Sequence, residues 1–127
     1  MPSEDAGIER LVAAWKSRRS YRAQELREEA RRLARGFYAA GALQVILFGS
    51  VAKGNVGSSS DLDLVVVAPL ARSEPFSRRF QDVLEQLHPT VPVDLWVYTP
   101  GEWEEVKDSR WFLREEVRKK GVILDAR

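Results

Sequence analysis

The chain has 127 residues, 44 % of them hydrophobic, with 20 Lys and Arg against 19 Asp and Glu. The length fits one domain, the apolar content is too high for a disordered chain, and the near-zero net charge argues against duplex DNA as the main ligand. There is no cysteine and only one histidine, His88, which excludes disulfides, cysteine nucleophiles and zinc sites built from thiolates or clustered imidazoles.

Residues 7 to 40 read as helix. Ile8, Leu11, Val12 and Trp15 recur at helical spacing, and so do Leu26, Ala30, Leu33 and Phe37. The stretch Ser17 to Ser20 leaves open whether one helix runs through or two meet there. Lys16 to Arg35 is rich in arginine and reads as a solvated helix face, or as a patch for an acidic partner. Gly41 is a stop signal. Leu43 to Phe48 is a short apolar run ending at Gly49, as expected of a buried strand.

Residues 49 to 60 hold three glycines and three consecutive serines and read as a turn, a short helix and a loop. Asp61 to Val67 is a second strand, and Pro69 to Pro75 a connection. Phe76 to Leu87 returns to helix, His88-Pro89 and Pro92 punctuate, and Val93 to Tyr98 is a third strand. Pro100-Gly101 reads as a turn. Glu102 to Lys120 is helical with an irregularity near Asp108, and Val122 to Leu124 is a short last strand after Gly121. The expected fold is α/β (α+β): two layers, with a small mixed sheet of about four strands packed against helices. Residues 24–124 form the core of a single domain, 1–127, and residues 1–23 an additional N-terminal helical segment.

No apolar run approaches the ~20 residues that span a bilayer. The first residues lack the basic-then-apolar layout of a secretory signal. A cytoplasmic protein is the expectation. A domain this small has little spare stability, so a partner chain or a homo-oligomer would help it.

The chemistry concentrates in three carboxylates. Asp61 and Asp63 lie two apart on one strand, so both side chains leave the same face, while Leu62 points the other way. Asp94 interrupts a third apolar strand, where an unpaired buried acid would be costly. Carboxylates on adjacent strands repel one another unless a divalent cation sits between them, and hard oxygen ligands favour Mg²⁺ or Mn²⁺. The Gly49-Ser50 turn adds a phosphate-cradling element: glycine admits close backbone approach, Ser50 offers a hydroxyl, and Lys53 lies one turn on with a positive charge. Together these groups suit phosphoryl or nucleotidyl transfer, in which the protein mainly positions charge. Singly, each has a plainer reading. Gly49-Ser50 could be an ordinary strand-to-helix turn, Asp61 a strand-edge acid, and Asp94 a salt-bridged core acid. His88 reads as a surface residue. Trp103, Trp111 and Phe112 read as core packing, or as an exposed aromatic patch for a partner.

The run Gly49-Ser50-Val51-Ala52-Lys53-Gly54, five residues, then Ser60-Asp61-Leu62-Asp63-Leu64, resembles the signature of the DNA polymerase β-type nucleotidyltransferase superfamily. It is most similar to the minimal nucleotidyltransferases of prokaryotes, with Asp94 as the later strand acid. The resemblance implies that Asp61, Asp63 and Asp94 form the catalytic, metal-binding set for two Mg²⁺ ions, Asp94 also activating the attacking hydroxyl. It further implies that Gly49, Ser50, Lys53 and Ser60 bind the nucleotide. The implied reaction moves a nucleoside monophosphate, AMP from ATP, to a hydroxyl. Several minimal members are similar to antitoxins that adenylylate a helical HEPN-type toxin, which makes such a protein the implied partner. Lys53 stands where many members have Arg and lacks the bidentate fork. The competing functional reading is a non-catalytic module that neutralises a helical partner by occlusion.

Overall fold

A computed structural model describes residues 4–54, 61–69, 76–111 and 113–126 of the chain. Helix α1 spans Glu4–Ala39 without a break, so the Ser17 to Ser20 stretch does not divide it. There follow β1 (Gln44–Phe48), the one-turn helix α2 (Gly49–Lys53), β2 (Leu62–Val67), α3 (Phe76–Gln86), β3 (Val93–Tyr98), α4 (Pro100–Val106), α5 (Leu113–Lys119) and β4 (Val122–Leu124). Instead of a turn, Pro100-Gly101 is the first turn of α4. Thr99 caps it, its hydroxyl accepting from Glu102 N at 3.1 Å while Thr99 N donates to the Glu102 carboxylate at 3.0 Å. The irregularity near Asp108 is a full separation: α4 ends at Val106 and α5, wound as a π-helix, begins at Leu113.

The four strands form one mixed sheet in the order β3-β2-β1-β4. β1 runs antiparallel to β2 and β4, and β2 runs parallel to β3 across the α3 crossover. The apolar alternation divides the core between the two faces. Val45, Leu47, Leu62, Leu64 and Val66 meet Leu26, Ala30, Leu33 and Phe37 of α1 and Phe80 and Leu84 of α3. On the other face Ile46, Phe48, Val65 and Val67 meet Trp103 of α4 and Leu113 and Val117 of α5. Helices therefore cover both faces, where two layers were expected. The aromatic trio divides too: Trp103 is buried, Trp111 is exposed, and Phe112 lies outside the described residues. Among the described residues no helix is long and apolar enough to cross a membrane.

Two polar contacts lock the sheet to α1. Tyr38 donates to Leu124 O at 2.6 Å and accepts from Val45 N at 3.0 Å, closing the end of the β1–β4 pair. Glu29, buried, accepts from Thr90 N at 2.6 Å and Thr90 Oγ1 at 2.8 Å, and Arg32 donates to it at 2.5 Å. Arg32 also reaches Leu87 O at 2.8 Å and His88 O at 3.2 Å. His88 itself is exposed with φ 49°, in the left-handed region. This clasp fixes the entry to β3. The Arg32 guanidinium, helped by Thr90, lowers the Glu29 carboxyl from 4.5 to about 2. A depressed acid stabilises the fold above its unfolded pKa and loses that contribution as pH falls toward the folded one. Glu29→Gln should therefore cost about 2–3 kcal/mol at neutral pH. The gap from the native chain should narrow between pH 4.5 and about 2. Urea unfolding across that range measures it.

Candidate functional site

Sheet register brings the acids together. Asp63 and Asp94 are direct partners across the parallel β2–β3 pair, so their side chains stand on one face side by side. Phe48 is the partner of Asp63 on the other neighbour, β1. Leu62 N donates to Pro92 O at 3.0 Å, which ties the two strand entries at the acid end. Asp61 is exposed just before β2 begins. By parity the acid face continues into Val65 and Val67 on β2 and Trp96 on β3. The Phe48 and Trp96 rings meet edge-on at 6.2 Å, an aromatic neighbour to the carboxylates that the motif did not announce. Trp96 was legible in principle, because it sits two residues beyond Asp94 on the same strand face.

Asp63 is half-buried and Asp94 exposed. The cost of an unpaired buried acid therefore does not arise at Asp94: β3 is an end strand, and its acid face opens to solvent. Burial pushes the Asp63 carboxyl up from its ordinary value, and the neighbouring charges of Asp94 and Asp61 push the same way. The three acids do not close into a ligand cluster, for among the described residues no group of three His, Cys, Asp or Glu stands at metal-binding separation. The donor set still fits a divalent cation: all hard carboxylate oxygens, two in direct register, with mutual repulsion that such a cation would relieve.

Gly49 follows Phe48 directly and leaves the strand with φ 76°, a left-handed conformation that disfavours any side chain. Its Cα also packs against Asp63. A Cβ built there would overlap the Asp63 carboxylate, with Cγ only 3.2 Å away. The glycine of the Gly-Ser pair and the second acid of the Asp-x-Asp pair are therefore in contact. Ser50 is half-buried in the first turn of α2. Lys53, exposed, is ion-paired with Glu116 of α5 and does not reach the acids. Lys53, with Lys120 adding its charge, holds the Glu116 carboxyl below the usual range. The predicted phosphate ligand is thus the strut between α2 and α5 in this state. Ser60 lies outside the described residues.

A mixed sheet with an acid pair in register beside a Gly-Ser turn defines a nucleotidyl-transfer type of domain. The nucleotidyltransferase domain family model matches residues 23–124, and the chain belongs to that family. A candidate nucleotidyltransferase from Sulfolobus solfataricus shares the fold: its crystal structure superposes with a TM-score of 0.57 at 18% identity, covering 83% of this chain and 84% of that one. Among curated proteins none matches significantly.

The site carries two predictions that thermal unfolding can measure. Asp63→Asn removes the repulsion and the desolvated charge, so it should raise stability by about 1 kcal/mol. Gly49→Ala imposes a left-handed alanine and displaces Asp63, so it should cost about 1–3 kcal/mol.

Proposed function

We propose that this domain transfers AMP from ATP to a hydroxyl on a partner protein. The observation that carries the reading is the register of Asp63 against Asp94, with Gly49 packed on Asp63. Asp61 and Asp63 hold Mg²⁺, with Asp94 completing the set. Bound there, the cation withdraws charge from phosphate oxygens and lowers the pKa of the attacking group. Asp94, exposed at the sheet edge, accepts the acceptor's proton in this reading. The acceptor oxygen bonds to the α-phosphorus, the bond to the bridging oxygen breaks, and pyrophosphate leaves with that electron pair.

Gly49 and Ser50 bind the triphosphate, and the family resemblance assigns Ser60 to the nucleotide as well. Lys53 joins by exchanging Glu116 for phosphate, a compact charge on a flexible stem. The partner is a helical protein of the HEPN type, on the strength of the family resemblance, and the setting is cytoplasmic.

Incubation with α-labelled ATP, Mg²⁺ and a co-purified helical partner tests the proposal. Label should pass to the partner, and Asp61→Asn with Asp63→Asn should reduce it at least ~100-fold. Undiminished labelling by the double variant would sink the mechanism. A double variant that neutralises the partner as well as the native chain does would favour occlusion instead.

A further inference from the structure

The apolar stripe of α1 outruns the core it serves. Ile8, Leu11 and Val12 are 59 %, 70 % and 43 % exposed, whereas Leu26, Ala30 and Leu33 further along the same helix are fully buried. Ile8 and Val12 precede Leu26 and Ala30 by eighteen residues each, five turns at about 3.6 residues per turn, and so fall on the same side of the helix. Position 15, a tryptophan, precedes Leu33 by the same interval. In sequence the core-facing stripe therefore continues toward the start of α1, where Ile8, Leu11 and Val12 stand outside the core. Residues 7–14 are exposed throughout.

Apart from Arg10, charge along this half is segregated. Positions 4, 5 and 9 are Glu, Asp and Glu, while positions 16, 18, 19 and 22 are Lys, Arg, Arg and Arg. Two such helices laid parallel set like charge beside like. Laid antiparallel about the apolar stretch, each acidic start lies along the other's basic segment, and the two stripes face each other. We propose that the first half of α1 is a dimerisation surface whose occupant is the same helix of a second copy, running antiparallel. The stripe supplies the attraction, and the charge order selects the direction and excludes the parallel register.

Sedimentation velocity on the full chain tests this, independently of nucleotidyl transfer. The native chain should be dimeric at micromolar concentration, and Leu11→Glu with Val12→Glu should weaken association at least ~10-fold. Both substitutions fall among exposed residues and precede Leu26, the first fully buried residue of α1 among those described, so far-UV circular dichroism should show the fold retained. Reversing only the acids (Glu4→Lys, Asp5→Lys, Glu9→Lys) should also dissociate the dimer. So should reversing only the bases (Lys16→Glu, Arg18→Glu, Arg19→Glu). Combining all six reversals should restore it. A native chain that stays monomeric to about 100 µM would overturn the proposal. So would a dimer indifferent to the charge at positions 11 and 12, or a six-fold variant that fails to reassociate.

Discussion

The parallel pairing of β2 with β3 is the constraint on which the rest of the molecule depends. It sets two acids of like charge opposite each other at one end of the sheet, an arrangement that costs stability in the free protein. The rest of the structure supports that end. Apolar side chains on both faces hold β2 at the centre. The backbone bond from Leu62 to Pro92 joins the strand entries, and the Glu29–Arg32–Thr90 clasp ties the segment before β3 down to α1. Glu29, a buried acid held by Arg32 and Thr90, thus steadies the approach to a pair of mutually repelling acids.

Much of this was legible in the residues. The strands were apolar runs of strand length bounded by glycine or proline, and β1, β3 and β4 fall on them to within a residue. The acid site was legible because strand parity is rigid: two residues apart means one face. What escaped was whatever depends on partners distant in the chain. Lys53 could be read as a phosphate ligand because nothing local reveals Glu116 on a helix sixty-three residues later. Glu29 looked like one more charge on an amphipathic helix, and only the tertiary fold brings Thr90 to it. The apolar neighbours of Asp94 leave its burial undecided, because strand order decides whether such a strand ends a sheet or sits inside one. The sheet's second helical cover came from a helix pattern that breaks into α4 and α5 and folds back, which periodicity alone does not report.

Lys53 and Glu116 also show how a motif residue can carry a structural task. The pair joins the one-turn helix after β1 to the π-wound helix before β4. α5 packs on the sheet face that bears the acids, whereas Val51 of α2 packs in the core of the opposite face. A triphosphate that captured Lys53 would release Glu116 to Lys120 alone, loosening α5 from α2 as the nucleotide is gripped.

Asp94 has a further consequence where it stands. It is the one charge in the six-residue strand Val93–Tyr98, which forms an end of the sheet. Without it, that strand would read as Val, Leu, Trp, Val and Tyr around a neutral position. That is the low-charge, β-prone, proline-free composition that recruits other chains at an open edge. The opposite end avoids the hazard by brevity, since β4 has three residues. The carboxylate at the site's rim also puts a charge into an otherwise neutral end strand, where charge disfavours pairing with another chain.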